Sequence, residues 1–192
     1  MSEESKVTAA DVKAAGNAAL GDSIAVLVNP DGAIPKVAGA QGYLIAAVIG
    51  AAFVILGTIA DFLTLRMMMG SFAGFDFFIK HLIGLLVCVA ILVGVVYGIA
   101  ISLAGKQGLR PEQAGNAVAV CLVPWFALML LTFIVSAIKV DWASYLIAAG
   151  PGVAMIFLSA ALNRGLEFSV RASIYTTILA FAVGLVVMGF IG

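Results

Sequence analysis

The chain has 192 residues, of which 64% are hydrophobic and only 10% are charged, and its mean hydropathy is +1.19. An average soluble domain is about a quarter charged, so this composition excludes a soluble globular fold, because too little polar surface is available to face water. The ten basic and ten acidic residues cancel in formal charge, which leaves no global field that would indicate a nucleic-acid partner.

The N-terminal segment, residues 1–36, is polar and is predicted to lie outside the membrane domain, residues 37–192. It holds eight charged side chains: Glu3, Glu4, Lys6, Asp11, Lys13, Asp22, Asp31 and Lys36. A secretory signal begins with basic residues followed by an apolar core, whereas this segment begins with acidic ones. We therefore expect a cytosolic or interfacial segment rather than a targeting peptide.

A short helix is predicted within this N-terminal segment. Thr8 and Asp11 have the spacing of a capping box, which predicts a helix from Ala9 to about Leu27. The apolar run 24–28 is too short to cross a bilayer, so we expect it to lie in the interface or to dock on the membrane domain. Asn, Pro, Asp and Gly at 29–32 predict a turn after it.

Five charge-free apolar runs follow, each long enough to cross about 30 Å of hydrocarbon as a helix. They are apolar throughout and do not alternate, which excludes membrane strands. The sequence therefore predicts an all-α, polytopic integral membrane protein with five transmembrane helices. The predicted spans are 37–60, 82–104, 114–138, 142–162 and 172–192.

The basic residues between the spans predict the orientation. With five spans, the N-terminal segment and the connections 105–113 and 163–171 share one side. Near the membrane, that side carries Lys36, Lys106, Arg110, Arg164 and Arg171, and the opposite side carries Arg66, Lys80 and Lys139. The positive-inside rule then places the N-terminus in the cytoplasm and the C-terminus outside.

The segment 61–81 is too apolar for an ordinary aqueous loop. One interpretation is that the first span continues past Asp61 and that an interfacial or re-entrant piece follows. The alternative is a surface for a partner or a lipid, formed by its methionines and phenylalanines. Asp61 would pair with Arg66 if the helix continues, and a proton or ion site at Asp61 is a further alternative. The apolar side chains are Phe62, Leu63, Leu65, Met67, Met68, Met69, Phe72, Phe75, Phe77 and Phe78.

Small residues and prolines within the spans predict how the helices pack. Gly94 and Gly98 form a G-x-x-x-G motif, which allows close approach of another helix; packing within the bundle is preferred over a dedicated dimer contact. Pro124 and Pro151 each remove a backbone donor and should kink their helices. Kinks can mark transport pathways, but curvature of the bundle is the simpler interpretation.

No catalytic, cofactor-binding or metal-binding motif is found. His81 is the only histidine, which excludes metal sites and protease motifs that need two. Cys88 and Cys121 both lie inside apolar runs, where small packing residues are expected rather than a disulfide. Asn116 and Asn163 suit hydrogen bonds between helices more than coordination of a substrate. The prediction is a protein that is not an enzyme and needs no cofactor.

Several stretches resemble the Ypt/Rab-interacting-protein (Yip) family in its bacterial, five-span form. They are the lead-in 24–30, the Gly-Lys connection Ala104–Gly108, the mid-span proline in Leu122–Trp125 and the connection Asn163–Leu166. The resemblance covers roughly residues 20–192. The chain lacks the longer cytosolic region with an acidic motif containing tyrosine and proline that eukaryotic members carry, so we do not expect it to bind a Rab-type GTPase.

The resemblance implies a role in membrane organisation rather than catalysis. Eukaryotic members are integral proteins of Golgi and endosomal membranes that act in vesicle formation and bind other membrane proteins, and bacterial relatives have no known catalytic residues. We therefore expect a scaffold or accessory subunit in a bacterial cytoplasmic membrane, in contact with lipid and with other integral membrane proteins or further copies of itself. The alternative is a small transporter or channel, which would need a continuous polar cavity reaching Pro124 and Pro151.

Overall fold

The computed structural model describes residues 8–70, 74–102, 105–106 and 108–191, and this part of the chain is helical and contains no strand. The helices are α1 (Ala9–Val28), α2 (Pro30–Ala38), α3 (Leu44–Met69), α4 (Phe75–Ser102), α5 (Pro111–Ile138), α6 (Val140–Ala160) and α7 (Val170–Ile191); a π-helical turn, Ala161–Gly165, follows α6. The sequence predictions on residues 1–7, Phe72, Ala104, Gln107 and Gly192 lie outside the described residues.

Five helices in the described part of the chain, α3 to α7, are long and apolar enough to cross a membrane. Each overlaps one of the five predicted spans, and the fourth crossing segment comprises α6 and the π-helical turn. A helix satisfies its own backbone donors and acceptors, which hydrocarbon cannot do. The prediction of an all-α, polytopic membrane protein is therefore confirmed.

The connection between α2 and α3 corrects two predicted boundaries. Val37 and Ala38 complete α2, and the first membrane-crossing helix begins at Leu44, so the prediction of a span from Val37 was wrong at that end. Gly42 separates the two helices with a φ of +93°, which glycine adopts without a steric penalty. Pro30 occupies the first position of α2, where its missing N–H is not needed. The residues predicted as a turn therefore begin a helix.

The capping box predicted at the start of α1 is confirmed. The backbone N–H of Asp11 donates to the Thr8 hydroxyl at 3.2 Å, and the backbone N–H of Thr8 donates to the Asp11 carboxylate at 2.8 Å. The Thr8 hydroxyl also donates to that carboxylate at 2.7 Å. These bonds favour the charged form, so they hold the pKa of Asp11 below its ordinary value.

The two N-terminal helices dock on the membrane domain through small and branched side chains. Val26 of α1 and Ile34, Val37 and Ala38 of α2 are buried within the same apolar core as the long helices. Other members of the apolar run 24–28, including Val28, remain exposed. The predicted docking of this run is therefore confirmed for Val26, while the exposed residues leave an apolar face on α1.

Helix α5 forms the centre of the bundle. More than half of its membrane-crossing window is buried inside the chain, and it packs most extensively against α6 and α3. It begins at Pro111, with Glu112 in its first turn, and continues through Pro124 to Ile138 without interruption. Helix α7 packs mainly on α4 and secondarily on α6. Helix α5 is therefore the helix around which the others are arranged.

One end of the bundle gathers the segments that were predicted to share a side. Arg164 of the π-helical turn forms an ion pair with Asp31 of α2, and Lys36 of α2 pairs with Asp22 of α1 at 3.1 Å. At the same end, the Asn116 amide of α5 donates to backbone carbonyls of the α2–α3 connection. The N-terminal helices, the start of α5 and the α6–α7 connection therefore lie together.

The segment 61–81 is mostly helical. Helix α3 continues to Met69 and α4 begins at Phe75, which confirms that the first span extends past Asp61. The described residues between them hold no re-entrant or separate interfacial piece, because only Gly70 and Gly74 of this connection fall outside a regular α-helix there. A re-entrant piece is therefore not found among the described residues, and the apolar residues from Phe75 onward extend the second span toward its N-terminus.

Candidate functional site: a polar pair beside a small cavity

Asp61 and His81 form a hydrogen-bonded pair between α3 and α4. Nε2 of His81 lies 2.9 Å from Oδ2 of Asp61, and the two side chains are only 19% and 22% exposed. The ring of Phe77 stacks on the imidazole, with 5.5 Å between ring centroids and 15° between planes. An ionised carboxylate can only accept, so in that state the imidazole nitrogen that faces it is the donor.

The predicted pair of Asp61 with Arg66 is not formed. Arg66 is exposed, and among the described residues no ion pair joins it to the Asp61 carboxylate, which bonds to His81 instead. Side chains three or four positions apart share a face of an α-helix, and these two are five apart. Proximity in the sequence was therefore misleading, and the true partner lies twenty positions away on the next helix.

A small cavity adjoins this pair. It has a volume of about 170 Å³, and both Asp61 and His81 line it together with apolar side chains and Thr132. Pro151 of α6 also lines this cavity, whereas Pro124 is buried in α5 and does not. One of the two predicted proline positions is thus next to the polar pair, and the other belongs to the packed centre of the bundle.

Three aromatic side chains fill the bundle beside Pro124. Trp125 lies between Phe53 and Phe181, with centroid distances of 5.2 Å and 5.9 Å, and all three are buried. The indole packs against Gly150 so closely that a Cβ added to that glycine would lie 2.9 Å from its ring. Gly150 was not identified from the sequence as the site of this close approach.

The G-x-x-x-G face of α4 points away from the rest of the chain. Gly94 and Gly98 are both exposed, and a Cβ added to either would meet no heavy atom within 4 Å. The packing within the bundle that the sequence favoured for this motif is therefore not found among the described residues. The face is accessible to lipid or to a helix from another molecule.

The predicted topology residues lie at the end of the bundle that carries the N-terminal helices. Arg110 precedes α5, and its Nη1 lies 3.5 Å from Oε1 of Glu112, while Arg164 pairs with Asp31. Lys106 lies before Arg110, and Arg171 is exposed in the first turn of α7. Arg110 and Arg164 therefore have acidic partners, Glu112 and Asp31, that were not identified from the sequence.

Asn116 is a buried polar residue that ties separate elements together. It is 1% exposed, and its Nδ2 donates to the carbonyl oxygens of Ala40 and Gly42 at 2.8 Å and 3.2 Å. The sequence suggested a hydrogen bond between helices. The acceptors are instead backbone groups of a connection, which side-chain patterns do not reveal.

The two cysteines belong to no metal-binding group among the described residues. Cys88 and Cys121 are both free and buried. Within the residues that the structure describes, His, Cys, Asp and Glu do not come together in any group of three or more that could hold a metal ion. Comparison of the chain with protein-family models, with curated proteins and with solved structures finds no match.

Proposed function

We propose that this chain is a non-enzymatic scaffold or accessory subunit that binds other integral membrane proteins, as its resemblance to the Yip family implies. The observation that carries the proposal is the filled centre of the bundle. Phe53, Trp125 and Phe181 occupy the space beside Pro124 where a solute pathway would have to pass. Of five cavities lined by described residues, one reaches Pro151 and none reaches both Pro124 and Pro151.

The location proposed for this role is a bacterial cytoplasmic membrane, with the N-terminus in the cytoplasm and the C-terminus outside. The support is the excess of basic residues at the end of the bundle that holds α1 and α2. The Ala-, Gly- and Val-rich spans agree with a bacterial relative of the family. Positive charges near a span are retained on the cytoplasmic side, which orients the remaining helices.

The partner contact in this proposal is the outward face of α4 at Gly94 and Gly98. Helices associate in lipid mainly through close packing, which small residues allow, because hydrocarbon provides no hydrophobic driving force between them. Both glycines have open space where a side chain would project. The partner is another integral membrane protein or a second copy of this chain.

The experiment is a purification of the full chain from native membranes in mild detergent, with mass spectrometry of the proteins that accompany it. Gly94→Leu fills the outward face, and Gly152→Leu on α6 is the matched control, because Gly152 is exposed with equally open space. We expect a stoichiometric partner with the wild type and the control, and about a tenfold lower recovery with Gly94→Leu. A chain that purifies alone and monomeric contradicts the proposal.

The Asp61–His81 pair favours one alternative, a small transporter that moves protons with its solute. Ionisable residues inside a membrane domain commonly mark such pathways, and this pair adjoins a cavity that reaches Pro151. Proteoliposomes with an imposed pH gradient test this alternative. Proton flux that depends on the wild-type chain and disappears in Asp61→Asn would favour transport over the accessory role, and flux equal to that of empty vesicles would exclude it.

A further inference from the structure

A groove of about 680 Å³ runs along the outside of the bundle between α3, α4 and α5. This volume falls within the range of about 300–1,000 Å³ typical of ligand pockets. Its lining is almost wholly apolar, and small residues leave the space that larger side chains would occupy. They are Ala47, Gly50 and Ala51 on α3 and Gly115 and Ala119 on α5.

The groove is open to the surroundings of the bundle. Ala47, Ala51 and Ile55 recur every four residues along α3 and are exposed. A Cβ added to Gly50 would meet no heavy atom within 4 Å, so no side chain of the described residues fills the space in front of it. In a bilayer, this face of the bundle meets lipid hydrocarbon.

The length of the groove matches one leaflet of a bilayer. Its lining extends from Tyr43 to Ile55 on α3 and from Pro111 to Leu122 on α5. At 1.5 Å per residue these stretches are about 16–18 Å long, and half of the hydrocarbon thickness is about 15 Å. A lipid acyl chain of one leaflet has this reach.

Polar groups of both signs lie at one end of the groove. Tyr43 and Glu112 line it there, and Arg110 lies beside Glu112, with 3.5 Å between Nη1 and Oε1. The Arg110 side chain is 58% exposed and that of Glu112 is 26% exposed, so both can contact a headgroup. Guanidinium groups bind phosphate with paired hydrogen bonds, and a carboxylate accepts them from an ammonium group.

We propose that this groove binds one phosphatidylethanolamine-type phospholipid, a lipid whose headgroup carries a phosphate and a primary ammonium. One acyl chain lies over Gly50 and Gly115, the phosphate contacts Arg110, and the ammonium contacts Glu112. The assignment combines the leaflet-long apolar groove with the matching pair of charges at its rim. It does not depend on the partner face at Gly94 or on the accessory role.

The test is native mass spectrometry of the full chain, purified and delipidated in detergent, with phosphatidylethanolamine added at increasing concentration. We expect one retained lipid per chain. Gly50→Leu places a branched side chain in the groove and should weaken binding about tenfold. Gly152→Leu, which enlarges an exposed glycine outside the groove, should bind like the wild type. If Gly50→Leu does not fold, Ala51→Leu fills the same groove.

The headgroup assignment is tested with two further lipids and one further variant. The wild type should bind phosphatidylethanolamine about tenfold more tightly than phosphatidylcholine, whose ammonium has no N–H to donate, and than phosphatidylglycerol, which has no ammonium. Glu112→Gln should remove most of this preference. Equal binding of all three lipids, or unchanged binding in Gly50→Leu, overturns the proposal. A dimer that Gly50→Leu converts to a monomer would show that a protein helix occupies the groove.

Discussion

Asn116 holds the connection between α2 and α3 to the first turns of α5 through two hydrogen bonds. The acceptors are backbone carbonyls that have no helical partner at this point, and the amide itself is buried. One hydrogen bond contributes about 0.5–1.5 kcal/mol to stability, and Asn116 makes two. This side chain therefore contributes more than an ordinary polar residue of comparable size.

We expect Asn116→Ala to lower the free energy of unfolding by about 1–3 kcal/mol, because the two hydrogen bonds from Asn116 to the carbonyls of Ala40 and Gly42 are lost. Thermal unfolding of the purified chain in detergent measures the change. Ser144→Ala is the control, since the Ser144 hydroxyl donates to Asp141 within one exposed turn. A melting temperature that falls equally in both variants would contradict the role assigned to Asn116.

Gly165 allows the π-helical turn to approach the end of α2. A Cβ added to Gly165 would overlap the Cβ of Ala38 and would also contact the carbonyl oxygen of Ile34. Ala38 is fully buried, so neither neighbour can move toward solvent. We expect Gly165→Ala to destabilise the chain by about 1–3 kcal/mol, the usual effect of overpacking.

The double variant Gly165→Ala with Ala38→Gly separates overpacking from other effects of the new methyl group. Removal of the Ala38 methyl restores the space, so the double variant should unfold at a higher temperature than Gly165→Ala alone. Ala38→Gly alone should cost about 0.5–1 kcal/mol, the usual penalty for glycine in a helix. Strictly additive losses in the two single variants would disprove the contact.

At the scale of a single element, α1 depends on its first turn. The pKa of Asp11 lies below its ordinary value of 3.8 because side-chain and backbone groups of Thr8 donate hydrogen bonds to the carboxylate. A lowered pKa means that folding favours the charged form. The stabilisation is therefore fully present above pH 3.8 and is lost as the pH falls through the lowered pKa.

Thr8→Ala should raise the pKa of Asp11 toward 3.8, because the hydroxyl that accepts from and donates to Asp11 is removed. Carboxyl NMR of the full chain, labelled at aspartate, measures this titration, and the remaining aspartates serve as the reference within the same spectrum. Amide exchange in the first turn of α1 should also become faster at neutral pH. An Asp11 titration that is the same in both proteins would contradict the capping geometry.

The spans could be predicted because each is a continuous apolar run. Their helical backbone could be predicted because hydrocarbon cannot hydrogen-bond to backbone groups, so each span must satisfy its own. The starts of α2 and α3 were predicted less accurately, because they depend on local residue signals. Pro30 marked a turn in the sequence but begins α2, since proline suits both positions. The start of α3 could not be located because Val37 and Ala38 are as apolar as the span that follows them.

The candidate site could be predicted only in part, because its contacts join distant positions. The sequence identified Asp61 as unusual, but its partner His81 belongs to the next helix. Because the apolar runs have no polar face, the sequence does not indicate which side of each helix faces its neighbour. The aromatic cluster around Trp125 requires α3, α5 and α7 to meet. Such contacts depend on the arrangement of the whole bundle.

For the whole molecule, the orientation in the membrane can be tested because the N-terminal helices, the start of α5 and the α6–α7 connection lie at one end of the bundle. Cys88 and Cys121 are buried, so a membrane-impermeant maleimide should leave the wild type unlabelled. In intact bacteria, Asp141→Cys at the start of α6 should be labelled from outside. Ser169→Cys at the opposite end, beside the N-terminal helices, should be labelled only after permeabilisation. The reverse pattern would place the N-terminus outside.

The ion pair between Arg164 and Asp31 also determines the order in which the fold can be completed. Helix α2 leaves the ribosome before any span, but part of its docking surface is the π-helical turn after the fourth span. Domains generally fold as their residues emerge, and contacts between distant positions form late. Helices α1 and α2 also contact α3 and α5, so their docking can begin earlier, but the docking of α2 is completed only after the turn that follows the fourth span has been synthesised.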